Sequence, residues 1–364
     1  MLSAAICAGT VVTFGAPIGG VLFAMELTST YFMVGTLLKC FLCSLSAIIV
    51  YHLMHSLPPI KPPAHTQFED IGMNHEIIFI VILGVLSAKV AVLFNHILLK
   101  LIFLRVKLKN PYISNRWKWT STVTLFISII GFPIVYLHLS EKAIDNMLFT
   151  EKKDLGDLPN GHMWSFPDTT FNLITYCICK FFFIILSICC PIPNGIFAPI
   201  FSLGAGFGRL YGHILMLIGD KIGVQLIRYE GIYAVIGAAA IGGSSTKTIS
   251  TIVIVFEMLG QVQPLMIPVS IGLLVAYWCT TGVAMGIFDV IIEFKNFPYM
   301  PTLGSLQAYS LKASDIMNKN FMHLSSKSTL SDIPAILSKC GDANVTIPVV
   351  ESSQKKVLHY TVTS

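Results

Sequence analysis

The chain has 364 residues, of which 54% are hydrophobic and 12% are charged, and its formal net charge is +5. A water-soluble domain needs a polar outer face, so this composition excludes one and favours lipid as the surrounding solvent. The small net charge gives no signature of nucleic-acid binding, and we expect no nucleic-acid partner.

The chain opens on an apolar segment, LSAAICAGTVVTFGAPIGG (2–20), which lacks the charged region of a secretory signal. It has the character of the middle of a membrane domain, and we expect further sequence ahead of it. Apolar stretches of about 20 residues, enough to cross roughly 30 Å of hydrocarbon, then recur. They lie near residues 33–53, 76–104, 119–139, 170–190, 232–256 and 265–284. The chain is therefore predicted to be an all-α, multi-pass protein of the lipid bilayer.

Two polar loops suggest an orientation. The first, RVKLKNPYISNRWK (105–118), contains lysine and arginine but no acid, and is predicted to be cytoplasmic. The second (140–168) mixes both signs and is expected on the outside.

The cysteines form no framework. Cys40 and Cys43, like Cys177 and Cys179, lie in apolar segments without an accompanying histidine. A zinc site needs convergent nitrogen and sulfur ligands, so no metal or cofactor is predicted. Small buried hydrophobic side chains are the better interpretation of these thiols.

Lys180 places a cation inside an apolar helix, YCICKFFFIIL (176–186), with no acid near it in the sequence. Ionisable residues inside a membrane are functional candidates by default. The alternative is a lysine whose long side chain carries its charge to the membrane surface.

A break follows in PIPNGIFAPIFSLGAGFGRLYG (191–212), where Pro191, Pro193, Asn194 and Gly195 stop the preceding helix. A new half-membrane helix is predicted from Ile196 onward. Its first N–H groups have no intrahelical partners and, with the positive end of the helix dipole, can bind an anion.

In this interpretation Gly195 leaves room for an ion, and Ile196 and Phe197 offer main-chain amides. A simple proline and glycine kink is the alternative. Combined with Lys180, the break favours an anion path.

Two distant segments resemble each other. AAICAGTVVTFGAPIGGVLFAMELTS (4–29) and YAVIGAAAIGGSSTKTISTIVIVFEMLGQ (233–261) both run from a small-residue helix through a break into a short apolar helix. These short helices carry Glu26 and Glu257, and at about ten residues they cannot span a bilayer. Paired, interrupted segments indicate an inverted-repeat transporter or channel. Chance likeness between Gly/Ala-rich helices is the alternative.

The composition becomes polar after Pro301. SDIPAILSKC (331–340) has helical spacing, while VTIPVVE (345–351) and KVLHYTVT (356–363) are typical of short strands. A small α/β segment of about 55 residues has little core of its own, so we expect it to need a partner module.

These motifs carry a family resemblance. NGIFAPIFSLGAGFGRLYG (194–212) resembles the GxFxP segment of the CLC chloride channels and chloride/proton exchangers. GAPIGGVLFAMELTSTYF (15–32) and the segment 233–261 resemble two further signatures of that family. The tail, with SDIM and IPVVES, resembles the first of the family's two CBS domains.

The resemblance implies a CLC-type inverted-repeat fold with broken half-membrane helices. It places a partial pore domain over 1–304 and a truncated, cytosolic CBS segment over 305–364. It also implies a homodimer in which each subunit has its own chloride pore.

Site residues follow from the same motifs. Gly195 and the amides of Ile196 and Phe197 would bind chloride, and Lys180 occupies a position where the family has a basic residue. Phe288 stands at the place of the family's pore tyrosine, which removes one hydroxyl donor.

The residue after Glu26 separates channels from exchangers in this family. Exchangers carry a second glutamate there, whereas this chain has Leu27, which has no titratable group. The resemblance therefore favours the plasma-membrane, voltage-gated channel branch with passive conduction, and Glu26 is predicted to satisfy helix ends rather than carry protons.

Other functions remain as alternatives. One is a proton-coupled chloride exchanger. Another is a non-conducting fragment that associates with full-length subunits, because the family's GSGIP and GKEGP loops occur nowhere in the chain. No G-x-S-x-G, HExxH or P-loop pattern is present, so an enzyme is not predicted.

Overall fold

The computed structural model describes residues 2–29, 34–55, 68, 73–107, 115–151, 155, 164, 168–294, 312, 315, 323–325, 328–329, 346–351 and 358–363. The chain separates into two compact units, Met1–Met300 and Pro301–Ser364. The first unit is helical and the second contains a small sheet.

The helices described in the first unit follow one another in chain order. They are α1 (Leu2–Phe14), α2 (Pro17–Thr28), α3 (Val34–His55), α4 (Met73–Lys107), α5 (Arg116–Gly131), α6 (Val135–His138), α7 (Glu141–Leu148), α8 (Thr169–Ile188), α9 (Phe197–Ile222), α10 (Glu230–Thr246), α11 (Thr251–Leu259), α12 (Gln263–Thr280) and α13 (Ile287–Phe294).

Among the described residues, 5 helices are long and apolar enough to cross a membrane. They are α3, α4, α8, α9 and α12, within Val34–Tyr51, Glu76–Arg105, Thr169–Ile188, Phe197–Ile222 and Gln263–Thr280. The predicted multi-pass helical architecture is confirmed.

Three predicted stretches differ in detail. The stretch 119–139 is interrupted after Gly131, where Pro133 lacks the N–H group that would continue the helical hydrogen bonds. The stretch 232–256 divides into α10 and α11, because Lys247 ends α10 in the left-handed region with φ of 59°. The helix α9 is not half-membrane in length, since it continues for 26 residues to Ile222.

Two glycines of α9, Gly204 and Gly208, face α10. A Cβ on Gly204 would lie 2.5 Å from the Gly237 carbonyl oxygen, and a Cβ on Gly237 would lie 2.6 Å from the Gly204 carbonyl oxygen. Every residue of α10 is buried. The glycines therefore allow two helices to approach closely at the centre of the unit.

The second unit has one described sheet of order β1-β2-β3, formed by β1 (Leu324–Ser325), β2 (Thr346–Val350) and β3 (Leu358–Thr363). The pair β1 and β2 is parallel, and β2 and β3 are antiparallel, with a register irregularity between Val349 and Val350. The strands predicted in VTIPVVE and KVLHYTVT are confirmed, and the helix predicted at 331–340 lies outside the described residues.

Candidate functional site

The start of α2 is bound by a glutamate from a distant helix. Pro17, the first residue of α2, has no N–H, and the next two N–H groups, of Ile18 and Gly19, donate to the two carboxylate oxygens of Glu257 at 3.1 and 2.8 Å. Glu257 belongs to α11. A Cβ on Gly19 would lie 2.8 Å from Ile254 Cα, so α2 and α11 are in close contact.

The start of α11 is bound in the same way by α2. Glu26 accepts hydrogen bonds from the N–H groups of Ile249 and Ser250 at 2.8 and 2.9 Å, and from the Ser250 hydroxyl at 2.6 Å. The two short helices, of 12 and 9 residues, thus exchange glutamates. The predicted role of Glu26 in satisfying helix ends is confirmed, and the reciprocity explains why the two segments resemble each other.

The start of α9 differs from both. Ile196 is the N-cap residue and no side-chain hydrogen bond caps the helix. Pro199, at the third helical position, has no N–H, so the free amides of the first turn belong to Phe197 and Ala198. Gly195 is exposed, and no heavy atom lies within 4 Å of the position of a Cβ on it. An ion could reach these amides without displacing a side chain.

Two hydrophobic clusters hold this turn in place. Phe197 is buried, with its ring centroid 5.4 Å from that of Phe14 and 4.8 Å from that of Phe23. Phe14 ends α1 and Phe23 lies in α2, so the break between these helices meets the start of α9. Ile196 packs instead into a second cluster that contains Ile287.

Phe288 is the second residue of α13 and is partly buried. Its neighbour Ile287 is fully buried in the cluster that also includes Ile196 and Ile200. The structure therefore brings Ile196, before α9, and Ile287, the first residue of α13, into one cluster. Leu27 lies elsewhere, partly buried against the main hydrophobic core at the end of α2.

Lys180 has an acidic partner, so the prediction of an uncompensated cation is wrong. The residue is buried, and its Nζ lies 2.6 Å from Oε1 of Glu141. Glu141 begins α7, in the polar loop 39 residues earlier, where no local sequence signal links it to Lys180. The Nζ also lies 5.9 Å from the centroid of the Tyr176 ring.

A second acid of α7 lies one turn further on. Asp145 accepts a hydrogen bond of 2.6 Å from the hydroxyl of Ser202, on α9. The helix α7 is outside the candidate membrane spans, and burial raises the pKa of Asp145 to about 7 although the Ser202 hydrogen bond lowers it. Through Glu141 and Asp145, α7 is attached to both α8 and α9.

Sequence reasoning missed an ionic cluster between α9 and α10. Arg209 is fully buried, and its Nε lies 3.2 Å from Oε2 of Glu230. His213 Nδ1 lies 3.1 Å from the other oxygen of Glu230. Arg209 also donates to the Thr150 carbonyl at 2.7 Å, which fixes the chain just after α7. An arginine in the GFGRLYG run was the available signal.

No metal-binding group is formed by the described part of the chain, where no three His, Cys, Asp or Glu side chains converge. The described cysteines are free thiols in mostly apolar surroundings. The chemistry that the site offers is therefore that of main-chain amides and a helix dipole.

Comparison with known proteins identifies relatives along nearly the whole chain. The family model described as "Voltage gated chloride channel" matches residues 1–281. "Chloride channel protein 2" of Rattus norvegicus is 31% identical over 388 residues, covering 98% of this chain and 42% of the relative. "Chloride channel protein 1" of Canis lupus familiaris is 30% identical, covering 98% of this chain and 39% of the relative. The chain thus spans less than half the length of these curated relatives.

Solved structures agree with the fold. A eukaryotic CLC transporter superposes with a TM-score of 0.72 at 30% identity, covering 100% of this chain and 58% of its own. A slow cyanobacterial Cl−/H+ antiporter superposes with a TM-score of 0.65 at 18% identity, covering 80% of this chain and 64% of its own, and this likeness shows the fold alone. The predicted inverted-repeat fold with broken helices is confirmed.

Proposed function

Because the chain belongs to the voltage-gated chloride channel family, we propose that it forms part of a pore through which chloride crosses a membrane passively. The observation that carries the proposal is the start of α9, where the amides of Phe197 and Ala198 have no side-chain cap beside the exposed Gly195. Helix starts of this kind bind anions through N–H groups and the positive end of the dipole.

The chloride site proposed here consists of Gly195, the amides of Ile196, Phe197 and Ala198 at the start of α9, and Phe288 at the start of α13. Since Phe288 has no hydroxyl group, main-chain donors provide the binding. Conduction requires an ion to leave as readily as it enters, and amides bind an anion less tightly than a fixed cation would. A site made from amides suits passage rather than storage.

Lys180 has a limited electrostatic role in this proposal. Its ion pair with Glu141 cancels most of its charge at a distance. The pair therefore adjusts the local potential, and the helix start provides the contact with chloride.

We propose a channel rather than a chloride/proton exchanger. Leu27 has no proton to exchange, and the neighbouring Glu26 accepts hydrogen bonds from Ile249 and Ser250 at the start of α11. A voltage-gated channel of the plasma membrane is the form that these residues favour. An exchanger is the second candidate, since a Cl−/H+ antiporter shares the fold.

A homodimer is also part of the proposal. A groove of about 490 Å³ opens between α2 and α11, lined by apolar residues that include Leu22, Ile249 and Val253. Ile18, on the same face, is 49% exposed. An apolar face of this kind supports contact with a second subunit within the bilayer.

We also propose that residues 1–304 form the pore domain and that residues 305–364 form a CBS segment.

Chloride efflux from liposomes tests the proposed site. Gly195→Val and its matched control Gly195→Ala both fit without displacing neighbours, because the space around Gly195 is open. We expect the larger, β-branched valine to lower efflux about tenfold and alanine to have a smaller effect, since the ion must approach the amides closely. Unchanged efflux and anion preference in a folded Gly195→Val protein would contradict the proposed site.

The wild-type chain is measured alone and together with a full-length family member. Efflux by the chain alone supports a pore, whereas absence of efflux alone with altered current in the mixture identifies a non-conducting, associating fragment. Proton coupling is measured as the shift of reversal potential with a pH gradient at fixed chloride. We expect no shift, and a shift would support the exchanger.

A further inference from the structure

Asn95 of α4 binds carbonyl groups of two different segments. Its amide nitrogen Nδ2 donates to the Ser245 carbonyl at 3.1 Å and to the Met285 carbonyl at 2.8 Å. An asparagine amide has two N–H donors, and both are used here. The residue is 4% exposed, so bulk water does not compete for these bonds.

Neither carbonyl accepts a main-chain hydrogen bond from α10 or α13. Ser245 lies in the last turn of α10, where carbonyl oxygens have no N–H group four residues ahead in the helix. Met285 precedes α13, whose first main-chain bond runs from the Val290 N–H to the Gly286 carbonyl. Asn95 therefore satisfies one carbonyl at the end of α10 and one just before α13.

The end of α10 and the start of α13 are also in close contact. A Cβ on Gly286 would lie 3.0 Å from Lys247 Cγ and 3.3 Å from the Thr246 carbonyl oxygen. Lys247 donates through Nζ to the Thr280 hydroxyl at 2.7 Å, at the end of α12. We call this meeting point of α4, α10, α12 and α13 the junction.

We infer that Asn95 is a positioning residue for the pore, holding the start of α13, and with it Phe288, against the end of α10. Phe288 follows Met285 closely in the chain and is placed by the same segment. The inference rests on the proposed function, because the position of Phe288 affects anion passage only if α13 borders the chloride path.

Hydrogen exchange tests the attachment without any need for conduction. Asn95→Asp keeps the shape of the side chain but replaces both donors by an acceptor that faces two carbonyl oxygens. Asn95→Leu removes the donors without adding charge and serves if the aspartate variant does not fold. Ser87→Ala is the matched control, since Ser87 is a fully buried polar residue of the same helix.

We expect the amides of α13 to exchange about tenfold faster in both Asn95 variants, because the segment loses its attachment, and to be unchanged in Ser87→Ala. The exchange of α9 should not change. Unchanged exchange in α13 for both Asn95 variants would overturn the inference.

The nitrate-to-chloride permeability ratio is the second readout, and general loss of stability would not move it. In a conducting preparation we expect this ratio to change about twofold or more in the Asn95 variants and to stay constant in Ser87→Ala. Faster exchange with an unchanged ratio would overturn the pore role of Asn95. If the wild-type protein does not conduct, the proposed function fails, and exchange alone decides whether Asn95 holds α13.

Discussion

The starts of the short helices α2 and α11 contrast with the start of α9. At α2 the free N–H groups bind Glu257, and at α11 they bind Glu26. At α9 no side chain caps the helix, and the turn before it is exposed at Gly195. All of these starts follow breaks in an apolar chain, yet a carboxylate binds only the first two.

The starts of α2 and α11 have a structural role, whereas the start of α9 is suited to binding an ion. A helix start buried in apolar surroundings needs acceptors for its N–H groups, and a carboxylate supplies them with a negative charge that suits the helix dipole. The fold uses this device to join α2 to α11. Leaving the start of α9 without such an acceptor keeps its amides available for a mobile anion.

The largest effect is expected from removing a capping carboxylate. Glu257→Ala leaves the N–H groups of Ile18 and Gly19 without acceptors and should destabilise the protein by about 3 kcal/mol. Glu257→Gln keeps one acceptor oxygen and should cost about half as much. Equilibrium unfolding in mixed micelles measures both variants.

Glu293→Ala is the control for that measurement, since Glu293 is exposed and should change stability by less than about 0.5 kcal/mol. Adding Glu26→Ala to Glu257→Ala should cost less than the sum of the single variants, because both hold the same helix pair. If the losses in free energy of unfolding instead add fully, the two glutamates act independently and do not hold α2 and α11 together as one unit.

The second prediction converts the start of α9 into a capped one. Ile196→Asp places a carboxylate at the N-cap position, where it can accept from the first-turn amides. We expect chloride efflux to fall about tenfold or more, because the carboxylate occupies the place of the anion and repels it.

Ile196→Asn is the matched control, since it caps the helix and loses the same packing without adding charge. Its efflux should fall much less than that of Ile196→Asp. Equal losses of chloride efflux in the two variants would attribute the effect to packing. The start of α9 would then have only a structural role, like the starts of α2 and α11.

The sequence predicted the features that depend on local spacing. Small residues, glycine and proline breaks and the glutamates of two similar segments lie within short windows, so the α1–α2 and α10–α11 pairs could be recognised. The length of α9 was predicted wrongly, since the helix continues to Ile222 past Gly204 and Gly208, which serve close contact with α10. Helix packing, which a single sequence does not display, decided that outcome.

Contacts between distant residues could not be predicted. Glu141 is separated from Lys180 by 39 positions, and Asn95 from Ser245 by 150. Periodicity places each residue on a helix but does not say which helices become neighbours. The partner of Lys180 and the junction around Asn95 therefore emerged only from the three-dimensional structure.

A third prediction concerns a carboxyl group that binds a hydroxyl rather than a helix start. The pKa of Asp145 is raised to about 7 in the folded protein, from an ordinary pKa of 3.8. Between these two pH values the folded protein keeps a proton on Asp145, whereas the unfolded chain has released it. Stability should therefore be fully present in acid and fall as the pH rises through about 7.

We expect a loss of about 2 kcal/mol between pH of about 4 and about 7, less than the full shift would give because the Asp145 side chain keeps some solvent exposure. Asp145→Asn should remove this dependence while keeping an acceptor for the Ser202 hydroxyl. Melting temperatures across that range measure it, and an equally steep pH profile in Asp145→Asn would assign the proton to another group.

The smallest effect is expected at the Lys180–Glu141 pair, which asks whether a side-chain charge assists the amides of α9. Lys180→Gln leaves Glu141 negative and should lower chloride efflux modestly, most visibly at low salt where screening is weak. Glu141→Gln should raise efflux for the converse reason. Because the charges cancel as a pair, the double variant should conduct nearly as the wild type does.

The same pair should show a coupling free energy of about 1 kcal/mol in the free energy of unfolding, since Glu141 is partly open to solvent. If the double variant instead loses as much efflux as Lys180→Gln, the lysine acts on chloride directly, and the start of α9 does not bind the anion through its amides alone.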